Sequence, residues 1–136
     1  MKPIKKRRKK GESTIVQEKL WKLCKEYIRK KYGNTCYTCG AEGLVGSNWQ
    51  TGHYIPKGFL PPYLKYDPRV LRPQCMRCNM HLGGMGAMYH INIVAEMGHI
   101  HVRDIHYDME VHNKDKMKPK EALTHYKNMV LWYTSN

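Results

Sequence analysis

Between residues 14 and 31, apolar side chains recur at helical spacing: Val16, Leu20, Leu23, Cys24, Tyr27 and Ile28. Thr14 with Gln17 three residues later has the form of a capping box, Lys30 and Lys31 suit a helix C-terminus, and Gly33 suits its cap. The pattern predicts a helix from Thr14 to Lys31, with Cys24 a buried thiol on its apolar face. Beyond it the helical period is lost. CYTCG reads as a tight turn. NWQTGHYIP, residues 48–56, reads as a strand pair or a broken strand, with a bulge at Gly52 and a stop at Pro56. FLPPYLKYDPRVLRP holds four prolines and predicts a loop with one short strand near Val70. QCMRCNMHL begins a short helix that Gly83 and Gly84 end. Met88, Ile91, Val94 and Ala95 then predict a helix closing at Gly98, and a second is expected over His99–Glu110. Pro119 opens the last, whose apolar stripe is Leu123, Tyr126, Met129, Val130 and Tyr133.

These elements predict an α+β chain, mainly helical, organised as one domain. Its length of 136 residues suits a single modest core. Residues 1–12 read as a disordered basic arm. Residues 13–136 form the domain, with a core over 34–84 and a helical extension over 85–136. The net charge is +13, and KPIKKRRKK supplies seven of the positive charges, so the remainder still carries +6. An excess on both arm and body points to a polyanion, of which nucleic acid is the commonest. The basic start has no apolar run behind it, which argues against a secretory signal, and no stretch is long enough to span a membrane.

Four of the five cysteines fall into two CxxC pairs, Cys36/Cys39 and Cys75/Cys78. Four thiolates are the ligand set of a closed structural zinc site; redox dithiols would not explain the matched spacing. The 35 residues between the pairs exceed the usual gap of roughly 15–20. A metal clamp across that gap would bring the intervening residues close to the second pair. His53, on the predicted strand, could then meet Asn79 and His81, which lie 26 and 28 residues further on. Phosphodiester hydrolysis needs a base to activate water, a cation on the phosphate and support for the leaving oxygen. A strand histidine can be that base, and oxygen and nitrogen ligands on a helix can hold Mg²⁺ or Mn²⁺. Each residue also has a plainer role. His53 can pack, Asn79 can cap the short helix, and His81 can support the zinc ligands.

WQTGHYIPKG followed by YDPRVLRPQCMRCNMHLGG resembles the HNH, or ββα-metal, nucleases built on a treble-clef zinc finger. More narrowly, it resembles the NinG/Rap recombination endonucleases of lambdoid phages. The resemblance covers roughly residues 34–134 and is strongest from Cys36 to Gly84. It implies a treble-clef/ββα-metal core with an N-terminal helix and a C-terminal helical tail. It further implies a phage-encoded enzyme of the host cytoplasm that cuts branched recombination intermediates, Holliday junctions or D-loops. His53 would be the general base, and Asn79 and His81 would shape the site of a catalytic Mg²⁺ or Mn²⁺. The chain departs from the pattern at Gly52, where relatives often carry an acidic residue or histidine, and at Val70, where they carry an asparagine. Asp67 is the nearest carboxylate and the candidate replacement ligand; otherwise it starts the Asp-Pro turn.

Lys57, Lys65, Arg69, Arg72 and Arg77 surround the expected site and can neutralise phosphates without reading bases. Tyr54, Tyr63, Tyr66 and Phe59 can stack on exposed bases, or simply pack. His90, His99, His101, His106, His112 and His125 show no ligand spacing and are expected at the surface or facing phosphate. Cutting both strands of a branch needs two sites, which favours a homodimer with the C-terminal stripe and Trp132 as its surface. A non-catalytic zinc-finger protein that binds nucleic acid is the alternative.

Overall fold

Leu20, Cys24 and Ile28, spaced four apart, form the buried line of the first helix, α1, Glu12–Tyr32. Gly33 ends it with φ +73°, donating its N–H to the Arg29 carbonyl, while Arg29, Lys30 and Lys31 face the negative end of the helix dipole. The predicted capping box does not form. The helix starts earlier, at Glu12, after an extended Gly11 that provides no side-chain cap. Gln17 does not reach back because its oxygen accepts the Lys65 ammonium (3.1 Å) and the Tyr66 hydroxyl (2.8 Å), and its amide nitrogen donates to Ser13. The computed structural model describes residues 1–136, and residues 1–11 have no regular secondary structure.

Two short strands, β1 (Gln50–His53) and β2 (Leu71–Gln74), pair antiparallel with Gly52 opposite Arg72 and His53 opposite Leu71. The register is unbroken, so the bulge expected at Gly52 is absent. Glycine is required there for a different reason. A Cβ at residue 52 would lie 1.7 Å from Oε1 of Gln74, whose amide is fixed by donating to Thr38 Oγ1 and the Gly84 carbonyl. After β2, residues Arg77–His81 make a single π-helical turn, and Gly83 and Gly84 leave it at φ +64° and +88°.

Three helices complete the chain: α2 (Gly86–Met97), α3 (His99–Lys114) and α4 (Pro119–Ser135). Gly98 alone separates α2 from α3, and α3 runs a turn beyond the expected Glu110. The result is mainly helical, with one small two-stranded sheet. A single core joins Leu20, Cys24 and Ile28 of α1 to Val70 and Leu71 at β2, Tyr89 and Ile93 of α2, and Tyr126 and Tyr133 of α4. Cys24 is fully buried, and burial pushes its thiol up to about 12.

Two expected surfaces are internal. Ala122, Tyr126 and Tyr133 on α4 are buried; Tyr27 of α1 packs edge-on against Trp132 and Tyr133, and the Tyr133 hydroxyl donates to the Tyr66 carbonyl. The stripe expected to dimerise therefore packs against α1 within the chain, while Trp132 on its flank stays 38% exposed. Arg72 is likewise no phosphate contact. It is 1% exposed, donates to both oxygens of Glu96 (3.1 and 3.0 Å) and to the Pro68 and Leu71 carbonyls, and packs its guanidinium on Tyr32 and Tyr37. That pair fastens β2 to α2 and to the end of α1.

Candidate functional site

The Cys36–Cys39 turn closes by a Cys36 N–H to Ala41 carbonyl bond and by Gly40, at φ +78°, donating back to Cys36. Of the second pair, Cys75 directly follows β2 and Cys78 lies within the π turn, and the Cys78 N–H points at Cys75 Sγ. All four sulfurs lie within 4.8 Å of one another, with Cys39 and Cys75 at 3.8 Å. Tetrahedral zinc with Zn–S near 2.3 Å requires S–S edges of about 3.8 Å, so this cluster can hold zinc with little rearrangement. Close by in the chain, β1 and the π turn bring His53 and Asn79 to one cavity.

That cavity, about 300 Å³, is lined by Thr51 and His53 of β1, by Tyr54, Pro56 and Lys57 after it, by Asn79, and by Gly83, Gly84 and Gly86. His53 and Asn79 thus come together as the cysteine spacing predicts. His53 is held on two sides. Its ring stacks on Trp21 of α1 at 5.5 Å between centroids and 11° between planes, and Nε2 lies 3.2 Å from the Lys65 carbonyl. A carbonyl only accepts, so Nε2 carries the proton and Nδ1 keeps the basic lone pair. Burial, reinforced by the Lys57 charge, lowers the imidazole to about 4. It is neutral at physiological pH. The Asn79 amide nitrogen donates to Gln50 Oε1 at 2.8 Å, which leaves the Asn79 carbonyl oxygen as its ligand atom.

The glycines add donors. Gly83, Gly84 and the non-glycine Met85 all have positive φ, and α2 begins at Gly86. The first intrahelical bond is from the Tyr89 N–H to the Met85 carbonyl, so the amides of Gly86, Ala87 and Met88 face the helix end unpaired. A helix N-terminus beside Lys57 favours an anion. Thr51 is 6% exposed and its hydroxyl has no protein partner.

Other expected site residues lie elsewhere. His81 is exposed at the end of the π turn and does not line the cavity. The Asp67 carboxylate accepts the Arg69 N–H at 2.9 Å and pairs with the Arg69 guanidinium, so it caps the Pro68–Val70 turn and is not a free ligand. Arg69, expected on phosphate, instead bridges Asp67 and Asp108, both at 2.9 Å. Val70 is fully buried and accepts the Tyr54 N–H on its carbonyl, so no side-chain ligand can act from there. Arg77 and Lys57 are exposed; Lys65 is half-buried.

Of the histidines expected at the surface or on phosphate, His90, His99, His101 and His106 are exposed and His112 and His125 are half-buried, and four of the six join aromatic clusters. The Tyr54 hydroxyl bridges His90 of α2 and His106 of α3, and Tyr63 stacks with both His112 of α3 and His125 of α4. Tyr54 and Tyr66 are buried, whereas Phe59 remains 67% exposed. Trp21, Thr51 and the α2 N-terminus are site features that the sequence reading lacks. HLGGMG before a helical pattern is a readable sign of the last; Trp21 gives none, since it lies at the edge of the α1 stripe.

Against known proteins, the chain matches the family described as Bacteriophage Lambda NinG protein over residues 2–131. Protein ninG of Salmonella phage P22 is 31% identical over 77 residues, 57% of this chain and 36% of that protein. Protein ninG of Escherichia phage 933W is 29% identical and that of Escherichia phage lambda 28% identical, each over 87 residues, 64% of this chain and 40% of theirs. The chain spans well under half the length of these curated relatives. No solved structure matches it. Matched along nearly its whole length, the chain belongs to the NinG family of bacteriophage proteins.

Proposed function

We propose that this chain is a metal-dependent endodeoxyribonuclease of the HNH type, built on a treble-clef core and acting on branched recombination intermediates. The observation that carries the reading is the state of His53: neutral, with Nε2–H committed to the Lys65 carbonyl and Nδ1 free, at a cavity shared with Asn79, Lys57 and the α2 N-terminus. A base needs a fixed tautomer and an open lone pair, and a structural histidine needs neither. Lys57 and the first-turn amides of α2 bind and orient the scissile phosphate. His53 removes the proton from the attacking water at Nδ1. Trp21 and the Lys65 carbonyl hold the ring in place as it becomes charged.

The donor set fits a hydrated Mg²⁺ or Mn²⁺ in part. The Asn79 oxygen is available, whereas His81 lies outside the cavity and no carboxylate lines it. Such an ion, kept mostly by water and phosphate oxygens, would supply positive charge to the phosphate. Asp67 has no place in that set.

Two-strand cutting of a branch calls for two sites, and we infer a homodimer on DNA. Since α4 packs on α1, its surface must lie outside that stripe. The alternative, a zinc-stabilised binding protein, is favoured by the absence of a lining carboxylate. The two readings separate in a cleavage panel of linear, flapped, D-loop and four-way DNA with Mg²⁺ or Mn²⁺. Cutting of branched substrates supports the nuclease; binding of branched DNA without cutting by any divalent ion supports the alternative.

A further inference from the structure

A second cavity of about 310 Å³ lies against His53 and Lys57, which line it together with Gln17 and Trp21 of α1 and with Lys65 and Tyr66. Two ammonium groups therefore share one partly enclosed space. Neither Lys57 nor Lys65 belongs to any of the six ion pairs of the chain. Glu18, the one carboxylate on the wall, is paired with Lys10 of the arm at 2.7 Å. Lys65 donates only to the neutral Gln17 amide, at 3.1 Å, and its ammonium is held below the usual lysine range by burial and by Lys57. Lys57 lies over the Trp21 ring, 5.6 Å from its centroid. Like charges gathered without a counter-ion oppose one another, and an anion entering between them removes that cost.

We propose that this cavity is a second phosphate subsite, holding a phosphodiester next to the scissile one, so that the bound strand crosses His53 with Lys57 between two phosphates. The inference rests on the nuclease reading and adds the path of the strand. Lys57 serves both subsites because it lines both cavities. Lys65 and Gln17 belong to the second alone. Lys65 is thus a residue of two functions: its main-chain carbonyl fixes the His53 tautomer, and its side chain binds the neighbouring phosphate. Replacing the side chain leaves the first function in place.

The test uses the zinc-loaded full chain and two small probes, thymidine 3′,5′-bisphosphate and thymidine 5′-monophosphate, followed at the Trp21 indole N–H by NMR. The bisphosphate is expected to shift that signal saturably and to bind about tenfold more tightly than the monophosphate. Lys65→Gln should erase the difference, Lys65→Arg should restore it, and unchanged zinc content and circular dichroism establish that the variants are folded. Equal affinities for the two probes, or a difference that survives Lys65→Gln, overturn the subsite. A hexaglutamate peptide that shifts Trp21 as strongly overturns it too, by assigning the cavity to acidic peptide. The failures are separable. If Lys65→Gln leaves the KM for DNA cleavage unchanged, the subsite falls and the nuclease stands. If the bisphosphate binds through Lys65 but no DNA is cut, the subsite stands and the nuclease falls.

Discussion

His53 couples its environment to pH in a definite direction. Its folded value of about 4 lies below the ordinary 6.5, so on acidification the unfolded chain takes up this proton first. The residue therefore withdraws stability as pH falls from about 6.5 to about 4 and withdraws none above that window. If His53 is the base of the proposed nuclease, the same shift puts the acid limb of its pH–rate profile below pH 6. A histidine-resolved NMR titration should find this ring titrating near 4, and Lys57→Gln should move it upward by removing a repelling charge. At Gly52, Ala would meet the Gln74 amide and cost about 2 kcal/mol in urea denaturation. The double change with Gln74→Ala should cost less than the sum of the two, because the collision is then gone. These cases divide what the sequence makes legible from what it does not. That the four cysteines cluster and that His53 and Asn79 share a cavity is readable, because CxxC spacing and the sequence positions around it are local signals. The reason for Gly52 is a side chain 22 positions away, and Arg69 and Arg72 find partners on α3 and α2, so charge alone assigns both arginines wrongly.

At the scale of elements, the helices are legible in outline and their junctions are not. The α1 stripe and the stop at Gly98 follow from periodicity and from a residue that tolerates φ +85°. The start of α1 and the packing of α4 on it depend on tertiary contacts, which override capping propensity. The joint between β2 and α2 depends most on Arg72, whose partner Glu96 is ionised more readily than usual: burial raises its carboxyl, but bonds from Arg72, Tyr37 and Tyr32 outweigh that. Arg72→Met should destabilise the chain by about 1–3 kcal/mol, measured by urea denaturation, because it leaves the Pro68 and Leu71 carbonyls without their donor, while the exposed Glu96 regains water. Glu96 strengthens folding above its unfolded value near 4.5 and ceases to as pH drops below, adding to the acid sensitivity from His53. The zinc site makes a parallel prediction. The folded chain should carry one zinc ion, and a chelator or Cys78→Ser should unfold the segment between the cysteine pairs, seen as reduced amide exchange protection in β1 and β2.

For the whole molecule, charge and chemistry are arranged on different parts. Seven positive charges lie in residues 2–10, outside regular structure, while His53, on β1, Lys57, in the turn after it, and Asn79, in the π turn, lie within the folded domain. Removing residues 2–10 should weaken DNA binding and leave the catalysed step intact. The steepness of the salt dependence should fall by roughly 0.9 for each phosphate that the arm no longer neutralises. The central claim is that His53 performs a reaction rather than filling a core. It is tested most directly by comparing wild type with His53→Ala on a radiolabelled four-way junction in Mg²⁺ or Mn²⁺, with zinc content and junction affinity measured on the same samples. The wild type is expected to cut, and His53→Ala to bind the junction with full zinc but cut at least about a hundredfold more slowly. Undiminished cutting by His53→Ala, or a wild type that binds and never cuts, would contradict it.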